Sequence, residues 1–348
     1  MRVAGPFFDE LERGYVERGA PALTITDGHA ALHQAVLGGR LRLALDGPLA
    51  RGVIGGDSAL AHPALVCDIA IGQSTLLTQR VIANLFYRGL VLHRAPLVGD
   101  TLRTTTEVVA LRQTSPRPAR AATGLAVLRI VTVDQHERPV LDFVRCAMLP
   151  LSDPQGVTGH ADEVRGEPLA LDGAALAAPV AGWNLAAMRA DAPGPRFDAL
   201  REGTVWEVEG GDVVSAAPEL ARLSLNVAMA HHDRGAGQGG RRLVYGGHTI
   251  GLAAAQLTRA LPNLATIVAW HGCDHLAPVF EGDTLTSTIE LERREPLAGD
   301  GGLVHLRSRV RARRAQPGGA PRAQLDDAQD GSDEATDVLD WRLVAALA

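Results

Sequence analysis

The chain contains the same motifs twice, in the same order, and this duplication constrains its fold more than any other feature. The segment 5–14 recurs at 194–203 with six of ten positions identical. The segment 93–102 recurs at 275–285, and Val140-Leu141-Asp142-Phe143 recurs as Val338-Leu339-Asp340-Trp341. Because the offsets between the copies stay between 182 and 198 residues, we predict two copies of one structural unit.

These matches divide the chain into a first copy at 1–152 and a second copy at 192–348. Between them, the segment 153–191 is rich in Ala, Gly and Pro and is predicted to be a surface linker. The offset grows towards the C-terminus, which indicates an insertion in the second copy. The acidic segment 314–337 supplies it and is expected to be a mobile loop.

Both copies have the pattern of helices followed by strands. In the second copy, Ser215 is expected to cap a helix starting near Ala216, and a buried helix is predicted to begin at Gly246-Gly247. From 304 to 310, apolar residues alternate with His and Arg, as in a half-exposed antiparallel strand. The matching strands of the first copy are predicted at 101–111, 125–133 and 140–148.

A buried helix followed by an antiparallel meander is an α+β arrangement. One sheet wrapped around one central helix is the hot-dog shape, and two copies in one chain make a tandem, or double, hot-dog. The two sheets are expected to lie side by side. A groove between the copies is then the expected ligand site.

Composition excludes several functions. The 34 cationic residues are all arginine, so neither a lysine Schiff base nor a Walker A phosphate loop can form. A formal net charge of −6 argues against nucleic acid as a partner, and three widely spaced cysteines argue against a thiolate zinc site. We find no apolar run long enough to span a membrane and no apolar signal core near the N-terminus, so a cytoplasmic protein is expected.

The most informative stretch is 223–248. Asn226 and His231 interrupt what is predicted to be an apolar helix, and a buried amide and imidazole cost free energy unless they are paired. They are either a satisfied polar pair at a helix end or part of a site. Gly246-Gly247 at the start of the next helix would present free N–H groups to an anion or a polarised carbonyl, or would simply form a tight turn.

This stretch resembles the MaoC-like acyl-CoA hydratases, which have a double hot-dog fold, and within them the mesaconyl-CoA hydratase (β-methylmalyl-CoA dehydratase) subgroup. The resemblance is carried by Asn226-x-Ala-x-x-His231-x-Asp233 and by the segment 240–248, which includes Tyr245-Gly246-Gly247-His248. The segments 275–284 and 140–145 support it. Most of the chain is covered, apart from the linker and the acidic segment.

The resemblance implies reversible addition of water across the 2,3 double bond of an enoyl-CoA thioester, with mesaconyl-CoA or a related short branched acyl-CoA as substrate. Asn226 stands where the broad family has an aspartate, and an amide cannot act as a base. We therefore expect His231 to transfer the proton, with His232 as its rival, and Asn226 to orient the water or the thioester. Backbone N–H groups of Gly246 or Gly247 would hold the thioester oxygen.

Further residues are candidate contacts for substrate or CoA. Arg241 and Arg242 would pair with a substrate carboxylate or a CoA phosphate, or else lie in a solvated turn. Tyr245 belongs to the same motif, and His248 is either a second polar wall of the site or a satisfied helix histidine. Asp233 is expected to be a structural partner of its neighbours.

The first copy lacks the Asn-to-His spacing and is expected to be non-catalytic, with Thr26 to His29 forming a helix cap. The resemblance implies that this copy helps to hold the CoA or the acyl tail, and that the protein is a homodimer. It implies no metal or redox cofactor, because CoA is part of the substrate.

Two other functions stay open. A hot-dog thioesterase would need a carboxylate near the helix start to activate water, and 245–248 offers none. A non-catalytic acyl-CoA-binding protein is favoured by Asn226 in place of aspartate and by the inert first copy.

Overall fold

The computed structural model describes residues 3–115, 121–189, 194–315 and 335–348. Within these ranges the strands form one continuous antiparallel sheet, in the order β1-β4-β5-β6-β3-β9-β12-β11-β10-β7, while β2 pairs with β4 and β8 with β10. The first-half strands are β1 (Val16–Glu17), β2 (Leu23–Thr24), β3 (Ala83–Leu92), β4 (Thr101–Gln113), β5 (Thr123–Val133) and β6 (Pro139–Pro150). The second-half strands are β7 (Val205–Glu207), β8 (Asp212–Val213), β9 (Leu264–His275), β10 (Thr284–Pro296), β11 (Gly302–Arg313) and β12 (Thr336–Leu347).

Seven α-helices lie in the described ranges. They are α1 (Asp27–Leu37), α2 (Arg42–Leu45), α3 (Gly47–Ile54), α4 (Pro63–Gln73), α5 (Gly173–Ala177), α6 (Ala217–Leu223) and α7 (Gly246–Ala260). Every residue of α4 is buried, and α7 is buried from Gly247 to Thr258. None of these helices is long and apolar enough to cross a membrane.

The strand order of the second half mirrors that of the first, which confirms the α+β double hot-dog. In each half a long helix, α4 or α7, precedes the meander and packs against its strands. The two sheets join through β3 and β9, which pair from Phe86 with Asp274 to Val91 with Ala269. The predicted meander strands and the helix start at Gly246 are confirmed. The chain division at 152 and 192 stays a prediction.

The segment predicted as a linker packs onto the joint between the two sheets. The Leu169 N–H donates to the His271 carbonyl at 3.1 Å. Further along, α5 and the short 3₁₀ helices after it bury the side chains of Leu176, Val180 and Leu185. Of the acidic segment 314–337, residues 316–334 lie outside the described residues, and so does the mobile loop predicted there.

One helix starts close to the predicted Ala216, at Ala217, but its predicted cap and its predicted extent are wrong. Ser215 is exposed and does not cap α6, because Ala216 occupies the N-cap position and makes no side-chain cap hydrogen bond. The helix ends at Leu223 because Leu225 adopts a left-handed φ of 60°. Asn226 and His231 therefore do not interrupt a helix. In the first copy, the Thr26 cap is confirmed, since its side chain accepts from the His29 N–H.

The loop that carries Asn226 lies directly against the central helix of the first copy. A Cβ atom on Gly72 of α4 would lie 1.7 Å from the Ser224 carbonyl oxygen and 3.1 Å from the Asn226 nitrogen. Only glycine fits there, because the neighbouring atoms belong to the backbone. The close approach of α4 thus fixes where the loop of the second copy runs.

We predict that Gly72→Ala lowers the free energy of unfolding by about 2–3 kcal/mol, because the added methyl overpacks against a fixed backbone. The matched control is Gly52→Ala in α3, where an added Cβ meets nothing within 4 Å and should be neutral or slightly stabilising. Urea unfolding of both variants measures the difference. Equal stability of the two variants would contradict the close packing of α4 on the loop.

Candidate active site

A cavity of about 350 Å³ lies between the two copies, a volume suited to a small ligand. Both halves of the chain supply its walls. The first half contributes Ile71, Thr75, Asn84, Tyr87, Arg145 and Met148 among others. The second half contributes Asn226, His231, Leu243, Tyr245, Gly246 and His275 among others. The cavity therefore corresponds to the groove expected between the copies.

His231 reaches this cavity from the short 3₁₀ helix Met229–His231. Its Nδ1 lies 2.9 Å from the Leu243 carbonyl oxygen, and because a carbonyl can only accept, Nδ1 carries the proton. Burial lowers the pKa of His231 from 6.5 to about 4, although the bond to Leu243 works in the opposite direction. The ring is therefore neutral at pH 7, with Nε2 unprotonated and able to act as a base.

Asn226 is buried, lines the cavity, and is held by its own loop. Its Oδ1 accepts from the Ala228 N–H at 3.0 Å, which leaves the Nδ2 group as the donor for a ligand. The Val227 N–H donates to Thr75 Oγ1 at 3.0 Å, so the first copy supports the loop. His232 Nε2 lies 2.6 Å from the Asn226 carbonyl oxygen, and His232 is not among the cavity residues.

The N-terminus of α7 reaches the cavity at Gly246. Its N-cap residue, Tyr245, makes no side-chain cap bond, and the first N–H groups of a helix have no intrahelical acceptor. A Cβ on Gly246 would lie 2.7 Å from the ring of His275, and one on Gly247 would lie 2.0 Å from Asp68 Oδ1. Packing within the protein therefore accounts for both glycines, and Gly247 does not line the cavity.

Four other residues singled out from the sequence lie outside the cavity. Arg241 is exposed with its guanidinium 4.0 Å from the Phe280 ring centroid, and Arg242 pairs with Glu281 at 2.5 Å. Asp233 is exposed and accepts from the Gly235 N–H at 2.8 Å. His248 is fully buried on α7, and neither ring nitrogen has a hydrogen-bond partner among the described residues. His248 is therefore not a wall of this cavity, and its interpretation as a satisfied helix histidine stays a prediction.

A second polar cluster lies behind the start of α7 and was not predicted. Asp68 of α4 is buried with Oδ2 3.5 Å from His33 Nε2, and burial raises its pKa to about 8. This carboxyl is therefore protonated at neutral pH. His62 packs against His33 with ring centroids 5.2 Å apart. His33 lies on α1, whereas His62 caps α4 and Asp68 lies within it, so no periodic signal in the sequence brings the three residues together.

The sequence also did not identify Arg145 and His275 as cavity residues. Both residues belong to segments that support the resemblance, but His275 stands out only as the start of a repeated motif, and Arg145 lies on β6 among alternating residues. Burial, with the nearby His231, lowers the pKa of His275 to about 4. Which face of a strand points into a cavity depends on the partner sheet, so neither position could be assigned from spacing alone.

Comparisons with known proteins agree with this fold and site. No protein-family model matches the chain. β-Methylmalyl-CoA dehydratase of Chloroflexus aurantiacus is 29% identical over 326 residues, which cover 90% of this chain and 89% of that protein. Mesaconyl-CoA hydratase of Cereibacter sphaeroides is 28% identical over 311 residues, covering 87% of this chain and 88% of that protein.

Two solved structures cover nearly the whole chain. A conserved protein of Mycobacterium tuberculosis with a double hot-dog fold is 51% identical over 100% of both chains, with a TM-score of 0.86. A protein of Chloroflexus aurantiacus assigned as a MaoC domain dehydratase is 27% identical over 99% of this chain and 97% of that one, with a TM-score of 0.81. The chain therefore belongs to the double hot-dog, MaoC-like family of hydratases and dehydratases, which are hydro-lyases.

We predict that stability falls steeply as the pH drops below 6.5, because several buried histidines have lowered pKa values. For each of them the unfolded chain binds the proton more readily, which costs up to about 1.4 kcal/mol per pH unit. The groups, with folded pKa values of about 3 or 4, are His33, His62, His231, His248 and His275. Burial raises the pKa of Asp68, so protonation of this carboxyl as the pH falls stabilises the folded protein. It is a single group and offsets only part of the loss caused by the histidines.

Urea unfolding at pH 7 and pH 5.5 measures this dependence. We expect the free energy of unfolding to be lower by several kcal/mol at pH 5.5. Equal stability at the two pH values would show that these imidazoles are not held neutral inside the protein.

Proposed function

We propose that this protein catalyses the reversible hydration of the 2,3 double bond of an enoyl-CoA thioester, with mesaconyl-CoA to β-methylmalyl-CoA as the leading candidate. The observation that carries the proposal is that the unprotonated Nε2 of His231 and the N-terminus of α7 share one cavity. The names of the two enzymes that are 28–29% identical support the choice of reaction and substrate. CoA belongs to the substrate, and the chain supplies the acid and the base.

In the hydration direction, His231 Nε2 takes a proton from water as the water oxygen bonds to C3 of the acyl group. The electron pair of the double bond moves towards the thioester oxygen, and the Gly246 N–H stabilises the charge that develops there. The protonated His231 then returns the proton to C2, so that one water has been added across the bond. Asn226 Nδ2 donates to the oxygen of the water or of the thioester and takes no part in proton transfer.

The CoA moiety extends from the cavity mouth in this proposal. Arg241 and Arg242 are exposed and lie in the chain between Gln238 and Leu243, which both line the cavity. Guanidinium groups at that position would contact CoA phosphates rather than the acyl group. A homodimer and a cytoplasmic location stay predictions from the sequence.

A thioesterase is the weaker alternative because its hydrolytic water needs a base such as a carboxylate. No Asp or Glu is among the described residues that line the cavity. The buried carboxyl of Asp68 on α4 lies against Gly247 and is not among the cavity residues, and burial raises its pKa to about 8, so it is mostly protonated at neutral pH.

We predict that the purified protein removes the conjugated-thioester absorbance of mesaconyl-CoA without releasing free thiol. In the same assay, His231→Ala should lower kcat by about a thousandfold, within the range that general acid–base catalysis supplies. The acid limb of the wild-type rate profile should lie well below pH 6.5, because burial lowers the pKa of His231 to about 4.

The control variant is His232→Ala, which removes the neighbouring imidazole whose Nε2 lies 2.6 Å from the Asn226 carbonyl oxygen and which does not line the cavity. We expect its loss of activity to stay below about tenfold, well under the effect of the base. Release of free thiol would indicate a thioesterase, and binding without turnover a binding protein. Equal, small losses from both histidine variants would contradict the role given to His231.

A further inference from the structure

The cavity contains a buried cation to which the described residues offer no counter-ion. Arg145 is 3% exposed and is the one Arg among the cavity residues. We infer that Arg145 binds a carboxylate at the acyl end of the substrate, which makes a carboxylated enoyl-CoA the preferred substrate class. This inference rests on the proposed function and adds to it the residue that selects the acyl group.

The protein provides hydrogen-bond acceptors for only some of the N–H groups of the Arg145 guanidinium. Nη2 donates to the Ser74 carbonyl at 3.1 Å and to Thr78 Oγ1 at 2.8 Å, and Nη1 makes a long contact of 3.4 Å with Asn84 Oδ1. Nε is buried and has no partner among the described residues. All three acceptors are neutral, so the charge itself is uncompensated.

An uncompensated charge in a protein interior is costly, because burial removes the solvation that water provides. Burial accordingly lowers the pKa of Arg145, and no carboxylate acts against that shift. Arg88, on the neighbouring strand β3, shows the ordinary solution: it is 4% exposed and pairs with Asp274 at 2.5 Å. The chain thus provides a carboxylate for one buried arginine and leaves the other facing a cavity.

The surroundings of Arg145 suit a carboxylate ligand. Asn84 Nδ2 is buried and finds no partner in the part of the chain that the structure describes, and Asn84 lines the cavity beside the guanidinium. A guanidinium fork with a neighbouring amide donor matches the two oxygens of a carboxylate. Arg241 and Arg242, the arginines proposed for this role from the sequence, are exposed outside the cavity.

The position of Arg145 relative to His231 also agrees with a role in binding the substrate carboxylate. Arg145 and His231 line the same cavity, and the positive charge of Arg145 contributes to the lowered pKa of His231. In mesaconyl-CoA the carboxylate is attached to C3, the carbon that water attacks. A residue that binds this carboxylate must therefore lie close to the base that activates the water.

The test compares two saturated four-carbon thioesters that cannot be hydrated, succinyl-CoA and butyryl-CoA, by calorimetric titration of the full-length protein. They differ at C4, where one carries a carboxylate and the other a methyl group. We expect the wild type to bind succinyl-CoA at least about 30-fold more tightly. Arg145→Met should weaken succinyl-CoA binding about 100-fold and change butyryl-CoA binding less than about threefold, since it removes one partner of a buried charge pair.

The matched control is Arg88→Met, which removes an equally buried arginine that already has its carboxylate. It should change the affinities for both thioesters by the same factor. Thermal unfolding of each variant checks the fold, and Arg145→Lys, which keeps the charge but loses the fork, should retain an intermediate preference for succinyl-CoA.

Equal wild-type affinities for the two thioesters would overturn the inference without any variant. Equal losses for both ligands in Arg145→Met would overturn it as well, by indicating a structural role or a contact with the thioester oxygen. Because neither ligand has a double bond to hydrate, a preference for succinyl-CoA that depends on Arg145 upholds the inference even if the hydratase assay is negative.

Discussion

The structure depends on the close approach of two central helices, one from each copy of a duplicated unit. Gly72 of α4 lies against the Ser224 carbonyl, and Gly247 of α7 lies against Asp68 of α4. At both points a side chain would collide with atoms of the other copy. The absence of Cβ atoms therefore allows α4, the loop at Asn226 and the start of α7 to share one small region.

This arrangement explains how a duplicated fold makes an asymmetric site. The second copy supplies His231 and the helix N-terminus, and the first copy supplies Arg145 and the support for the Asn226 loop. The walls thus combine a neutral base with an uncompensated cation and, among the described residues, contain no carboxylate. The cation favours an acyl group that carries a negative charge. In the absence of a carboxylate among the described wall residues, the imidazole of His231 is the group available for proton transfer.

Much of the fold could be predicted from the sequence because a repeat is a long-range signal. The recurrence of 5–14 and 93–102 indicated two copies, and alternation identified the meander strands that β4, β5 and β6 confirm. The helix expected through Asn226 failed because the sequence does not show that Leu225 takes a left-handed conformation against α4. The sequence left open whether Gly246-Gly247 serves a ligand or a tight turn; packing against His275 and Asp68 explains why both are glycine, and only Gly246 lines the cavity.

In the proposed mechanism, one imidazole takes the proton from water and returns it to the adjacent carbon. The direct measurement is hydration of mesaconyl-CoA in D₂O, with the relative configuration at C2 and C3 of the product determined by NMR. Because a single imidazole activates the water and returns the proton, deuterium and hydroxyl are expected to be added to the same face of the double bond. Addition to opposite faces would require a second acid and would contradict the account.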